Sequence, residues 1–201
     1  MNSRAGPVSS WRTLLLLIVI SQALFWTAWW LGYTLIPEGI LRNSTGAALL
    51  PLERLGGVAR ALAILAWNAA AATLFVAGAN LLRVGRVPLG TIPPLIYWTM
   101  YGLLLGTNSF DVPLPERLAP SLAVFLSRAG ILELTACLLV AAATAGWSRW
   151  EQKSFWSGPT RRLEPQPLGR TQWAMLALAA LLLIAGAVRE TIQWCAVEGG
   201  C

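Results

Sequence analysis

Apolar residues along this chain come in long blocks separated by short polar and basic stretches. A helix needs about 20 mostly apolar residues to cross the hydrocarbon of a bilayer. Five blocks meet that measure: residues 13–36, 59–82, 88–107, 130–147 and 172–194. The first contains only Ser21, Gln22 and Thr27 as polar groups, and Trp26, Trp29 and Trp30 crowd its far end. The second is rich in alanine and holds Asn68 and Asn80. The third has Pro93-Pro94 in its first half, the fourth carries Glu133, and the fifth has Arg189-Glu190 in its last turns. The pattern predicts an all-α, polytopic bundle of five spans. It is organised as one transmembrane domain over 13–194, with an N-terminal segment 1–12, a loop 148–170 and a tail 195–201.

Two stretches are less regular. Residues 114–127 (LPERLAPSLAVFLS) are too short to cross, and Pro120 interrupts them. They are expected to form an interfacial or re-entrant helix leading into the fourth span, because unpaired backbone must face protein or water. The segment 39–57 is expected to hold a short surface helix at 46–50, ahead of Pro51. Small residues mark helix contacts. Gly102 and Gly106 form a GxxxG step in the third block, and Ala142 and Gly146 repeat that spacing in the fourth. Such faces let backbones approach closely, either within the chain or across a homodimer.

Composition supports the membrane assignment. The chain has 201 residues, of which 56% are hydrophobic and 12% charged; soluble chains average roughly 25% charged. There is no histidine, so an HExxH zinc site, a Ser-His-Asp or Cys-His nucleophile and a histidine haem ligand are all excluded. No metal site or cofactor is expected. The net charge of +6 fits basic residues flanking spans better than nucleic-acid binding. With the N-terminus inside, Arg4, Arg12, Arg83, Arg86, Arg149, Lys153, Arg161, Arg162 and Arg170 are internal. Arg42, Arg54, Arg60, Arg117, Arg128 and Arg189 are external. The excess favours an N-in, C-out protein of a bacterial cytoplasmic membrane. Trp11, Trp147, Trp150 and Trp173 then fall at one interface, and Trp26, Trp29, Trp30 and Trp194 at the other. The apolar run from Leu14 is too long, and too lacking in a small-residue cleavage site, for a removed signal peptide. Cys137 is expected to serve packing. Cys195 and Cys201 are either a small disulfide on the outer side or two free thiols. The loop 148–170, with Pro159, Pro165 and Pro167, is expected to be mostly irregular and open to a soluble partner.

Ionisable groups within spans cost about 2.5–3.5 kcal/mol on insertion scales, so they tend to have a partner or a purpose. Following the alternation of spans, Asn68, Tyr101, Glu133, Arg189 and Glu190 all fall in the outer half. A buried polar cluster is expected, with Arg128 or Arg189 as counter-charge. It serves either as a substrate, proton or partner site, or as structural glue that fixes helix register.

The order of these residues resembles the stage II sporulation protein M family. Asn68 is similar to that family's asparagine-containing span. Tyr101-Gly102-Leu-Leu-Leu-Gly106 is similar to its Asn-Gly-x-x-x-Gly step, with Tyr in place of Asn. Arg128-Ala-Gly130-Ile-Leu-Glu133-Leu134 is similar to its Pro-His-Gly-x-x-Glu-Leu step, with Arg-Ala replacing Pro-His. Arg189-Glu190 matches a Glu near the end of its last span. The resemblance covers residues 59–194 and implies a multi-pass membrane protein without catalytic residues, acting as a scaffold among other membrane subunits.

The expected function is thus a non-enzymatic membrane scaffold or complex subunit. Its expected partners are lipids, other membrane proteins and a soluble partner at 148–170. The alternative is a permease-like transport subunit using Glu133 and Glu190, which the Pro93-Pro94 break also suggests. Lacking a P-loop, it would draw any ATP drive from a partner. Acid–base catalysis by Glu133 and Glu190 lacks a supporting nucleophile or metal cluster. An accessory role in a pigment or haem complex would be a special case of the scaffold.

Overall fold

The computed structural model describes residues 10–42, 55–110 and 116–198. Helix α1 spans Ser10–Leu35. Helix α2, Gly57–Ala70, continues into a π-helical stretch Ala71–Ala77 and a 3-10 turn Ala79–Leu81. Strands β1 (Leu82–Val84) and β2 (Val87–Pro88) follow, then a 3-10 turn Leu89–Thr91 and helix α3, Ile92–Thr107. After the short helix α4 (Leu122–Ser127) come α5 (Gly130–Thr144), strands β3 (Trp150–Gln152) and β4 (Pro159–Arg162), and helix α6 (Arg170–Glu198).

Four helical segments are long and apolar enough to cross a membrane: Ser10–Leu35, Gly57–Leu81, Gly130–Trp147 and Arg170–Ala196. The expected third span is shorter than the pattern predicts. Its helix has 16 residues, or about 24 Å at 1.5 Å per residue, less than the roughly 30 Å of hydrocarbon. The residues before it are taken by a strand and a 3-10 turn, so the helix begins at Ile92 rather than 88. Pro93-Pro94 therefore occupy its first turn, where the missing N–H groups would have no helical partner in any case. They start a helix and do not break one. The expected helix at 114–127 is likewise reduced to six residues, begun by Ser121, whose hydroxyl accepts from the Val124 N–H at 3.2 Å. The expected surface helix at 46–50 lies outside the described residues.

The loop 148–170 is mostly outside regular structure, as its prolines suggest, but it is not only a link. It supplies two strands of a four-stranded mixed sheet in the order β2-β1-β3-β4. Strands β1 and β3 pair in parallel, Leu82 with Trp150 through Val84 with Gln152, and each outer strand is antiparallel to its neighbour. The parallel pair follows from the helices. α2 and α5 leave the bundle at the same end, so the strands that continue them run in the same direction. The sheet is fastened to the helix ends: Ser148 donates to the Asn80 carbonyl at 2.9 Å, and the Arg149 N–H to the Leu81 carbonyl at 2.8 Å. Helix, hairpin, helix is thus built twice, as α2-β1-β2-α3 and α5-β3-β4-α6. Each second helix is preceded by Pro-Leu-Gly, at 88–90 and 167–169.

Helices α1 and α3 pack backbone to backbone. A Cβ placed on Gly106 would lie 2.5 Å from the Trp29 carbonyl oxygen and 2.8 Å from the Tyr33 nitrogen, and one on Gly32 would lie 3.2 Å from the Gly106 Cα. Gly102 meets the Phe25 carbonyl in the same way. The GxxxG face is therefore occupied within the chain. Beside this seam lies an aromatic cluster of Phe25, Trp26, Trp29, Trp98, Tyr101 and Phe125, with ring centroids 5.3–6.2 Å apart, in the range where ring pairs attract. Trp29 is fully buried in it and donates to the Leu118 carbonyl at 3.0 Å. It is a core residue and not the interfacial anchor that its place in the sequence suggests. Gly146 also differs from expectation. It lies in the 3-10 turn Ala145–Trp147, where the Gln166 side chain fills the space beside it. Ala142 is fully buried in the core, and Cys137 is a buried free thiol.

Candidate functional site

At the end of the bundle opposite the sheet, polar side chains from four helices meet. Glu133 lies in the first turn of α5. Its carboxyl is within hydrogen-bonding reach of Glu190 on α6 and of Asn68 on α2. Glu190 is in turn within reach of the Trp194 indole. Tyr101 on α3 lies in the electrostatic field of Arg128, Glu133, Glu190 and Arg189. The five residues singled out in the sequence are thus neighbours in space.

Helical spacing explains the convergence. On α6, Gly186, Glu190 and Trp194 stand four apart and share a face. Gly186 is what lets Glu133 in: a Cβ there would lie 2.6 Å from the Glu133 Cγ. On α2, Arg60, Ile64, Asn68, Ala72, Val76 and Asn80 also recur every four residues, and all but half-buried Asn68 are buried. A four-residue stripe drifts around an ordinary helix of 3.6 residues per turn. The wider π-helical stretch at Ala71–Ala77 offsets that drift and keeps Asn80 on the inner side. Arg60 lies over the Trp194 ring at 5.3 Å, which ties the start of α2 to the end of α6.

The counter-charge takes a different form from that expected. Arg189 donates to the Leu126 carbonyl at 3.0 Å. Among the described residues no ion pair joins Arg128 or Arg189 to either carboxyl; the pair found is Arg83–Glu151, 3.3 Å, in the sheet. Adjacent helix positions point about 100° apart, so Glu190 faces α5 while Arg189 faces α4. Gln193 adds a second bond to the end of α4, donating to the Ser127 carbonyl at 2.8 Å. One acceptor in the cluster, Glu133 Oε1, is buried without a hydrogen-bond partner. Tyr101 lies against Gly130, where a Cβ would come 2.7 Å from the ring.

Other polar groups hold the bundle together without having been singled out in the sequence. Arg117 donates to the carbonyls of Gly106 (2.6 Å), Ile36 (2.5 Å) and Gly32, closing the ends of α1 and α3 together. Asn108, in the left-handed conformation (φ 47°) that ends α3, donates to Glu38 at 2.6 Å. At the sheet end, the fully buried Asn80 donates to the Ala141 carbonyl (3.0 Å) and to the Thr144 hydroxyl (2.7 Å). Arg117 and Gly186 carry no motif. The one available signal was a cation, or a glycine, set in an otherwise apolar or helix-forming run. Cys195 is disulfide-bonded, while Cys201, its expected partner, lies outside the described residues.

No family model, curated protein or solved structure matches the chain.

Proposed function

We propose that this chain is a non-enzymatic scaffold or subunit of a larger membrane assembly, with its N-terminus and sheet on the cytoplasmic side of a bacterial membrane. The observation that carries the reading is the cross-bracing of α2, α3, α5 and α6 by Asn68, Tyr101, Glu133 and Glu190. Glu133 lies within hydrogen-bonding reach of Asn68 and Glu190, and Tyr101 lies in the field of both carboxyls. Polar contacts of this kind fix helix register in lipid. The outward faces remain apolar, with Leu15, Leu16, Val19, Leu62, Leu74 and Phe75 exposed, as lipid or a second membrane protein requires. The likeness of Asn68, Gly102, Gly106, Glu133 and Glu190 to the stage II sporulation protein M pattern supports the same reading. Copurification of the untagged protein from native membranes in a mild detergent tests it. Stoichiometric membrane subunits are expected, and a solitary monomer under every detergent condition overturns the proposal.

A second reading, a permease-like transport subunit, is favoured by one observation. Buried Glu133 Oε1 has no partner, in a cluster fed by both helices of both helix–hairpin–helix units. Repeated units that meet at a polar site are a recurrent transporter plan. Flux into liposomes that survives Glu133→Gln combined with Glu190→Gln overturns this reading.

A further inference from the structure

The hairpin between β3 and β4 carries a feature that neither reading uses. Its turn is closed by two serines: the Ser154 N–H donates to the Ser157 hydroxyl at 3.0 Å, and the Ser157 N–H to the Ser154 carbonyl at 3.2 Å. Turns favour Gly, Pro, Asn, Asp and Ser, yet the two residues at this tip are Phe155 and Trp156. Trp156 is 97% exposed and Phe155 59%. Water disfavours such a tip, whereas the headgroup level of a bilayer favours it.

The hairpin cannot stray far from that level. The Arg149 N–H bonds the Leu81 carbonyl, and the Gly85 N–H bonds the Gln152 carbonyl at 3.1 Å. Six residues from Trp150 to Trp156 reach about 20 Å at most. The charge around it is mostly positive. Arg86, Arg149, Lys153, Arg161 and Arg162 are exposed in and beside the sheet, against one exposed acid, Glu164. The carboxylate of Glu151 is held by Arg83 and sits opposite Arg161 in the strand register. Beside the tip is an open cavity of about 410 Å³ lined by Gly85, Glu151, Gln152, Lys153, Thr160 and Arg161. Lys153 and Arg161 outnumber the single carboxylate in that lining, Glu151.

We propose that this hairpin binds an anionic phospholipid of the adjacent leaflet. Phe155 and Trp156 seat among the headgroups and upper acyl chains, and Lys153 and Arg161 hold the phosphate in the cavity that β3 and β4 form with Gly85. The inference needs only the membrane-embedded helices and is independent of the scaffold reading.

Native mass spectrometry of the full-length protein in a mild detergent, mixed with phosphatidylglycerol or phosphatidylcholine, tests it. The wild type is expected to retain phosphatidylglycerol in preference. Lys153→Gln with Arg161→Gln is expected to lower that retention roughly tenfold or more, since each cation near an anionic surface contributes a factor of about five. Trp156→Ser lowers it less. The charge-matched pair Arg12→Gln with Arg170→Gln, at the starts of α1 and α6, is expected to change it little. Equal retention of the two lipids, or equal loss in the two double variants, overturns the proposal. Displacement of phosphatidylglycerol by millimolar inorganic phosphate would assign the cavity to a soluble anion and also overturns it.

Discussion

Two seams in this bundle use glycine for opposite purposes. Between α1 and α3, Gly32, Gly102 and Gly106 remove side chains so that two backbones touch. Between α5 and α6, Gly186 removes a side chain so that the carboxyl-bearing arm of Glu133 can lie flat against the opposite helix. The first seam is filled by main chain and bordered by rings. The second is filled by a side chain whose polar end then meets Asn68 and Glu190. A small residue in a membrane helix thus reports close approach, but not what approaches. A backbone cannot move aside, whereas a side chain can be shortened, and the two seams should therefore fail differently.

The largest effect is expected at the backbone seam. Gly106→Leu sets a side chain against the Trp29 carbonyl and the Tyr33 nitrogen, neither of which can yield, at a cost on the order of 3 kcal/mol or more. Loss of a monodisperse peak in gel filtration would report it, and no shortening of one neighbouring side chain should restore it. Arg117→Ala comes next. It frees the carbonyls of Gly32, Ile36 and Gly106 from a charged donor and should cost about 2 kcal/mol, read as a lower thermal midpoint in detergent. Gly186→Ala should cost about 1–2 kcal/mol by crowding Glu133. Here the second seam parts from the first: adding Glu133→Ala should recover much of the loss, with a coupling of about 1 kcal/mol in a double-mutant cycle. Strict additivity would erase the distinction between the seams. The smallest effect is expected at the edge of the polar seam. Ser121→Ala removes the cap of α4, whose end receives Arg189 and Gln193, and should lower stability by about 1 kcal/mol or less. Faster hydrogen exchange at Val124 is the measurement that isolates it.

Much of the helical plan was legible in the pattern of apolar blocks, because lipid allows few alternatives to a run of about 20 apolar residues. The polar convergence was legible for a related reason. Depth along a span follows from counting at 1.5 Å per residue, so Asn68, Tyr101, Glu133 and Glu190 could be assigned one level before any packing was known. What counting does not supply is azimuth. It left Arg128 and Arg189 as equal candidates for a counter-charge, whereas Arg189 turns to α4 because it is one position away from Glu190. The third block was overlong because Pro88 and Leu89 are apolar wherever they stand; only pairing with β1 makes Val87–Pro88 a strand. The sheet was hidden for the same reason. Its strands are two to four residues long, rich in arginine and interrupted by proline, and they form because the ends of α2 and α5 hold them side by side. Gly186 was unreadable without the position of Glu133.

The parallel pairing of β1 with β3 also sets an order of events. Residues 82–84 must wait for 150–152 before they gain their partner, with α3 to α5 inserted in between. A ribosome delivering this chain therefore produces a first hairpin whose inner edge stays unpaired until most of the protein has entered the bilayer. Contacts of such long sequence separation form late. The sheet then acts as a clasp that shuts after the helices have assembled, and truncation anywhere before residue 150 should leave it open.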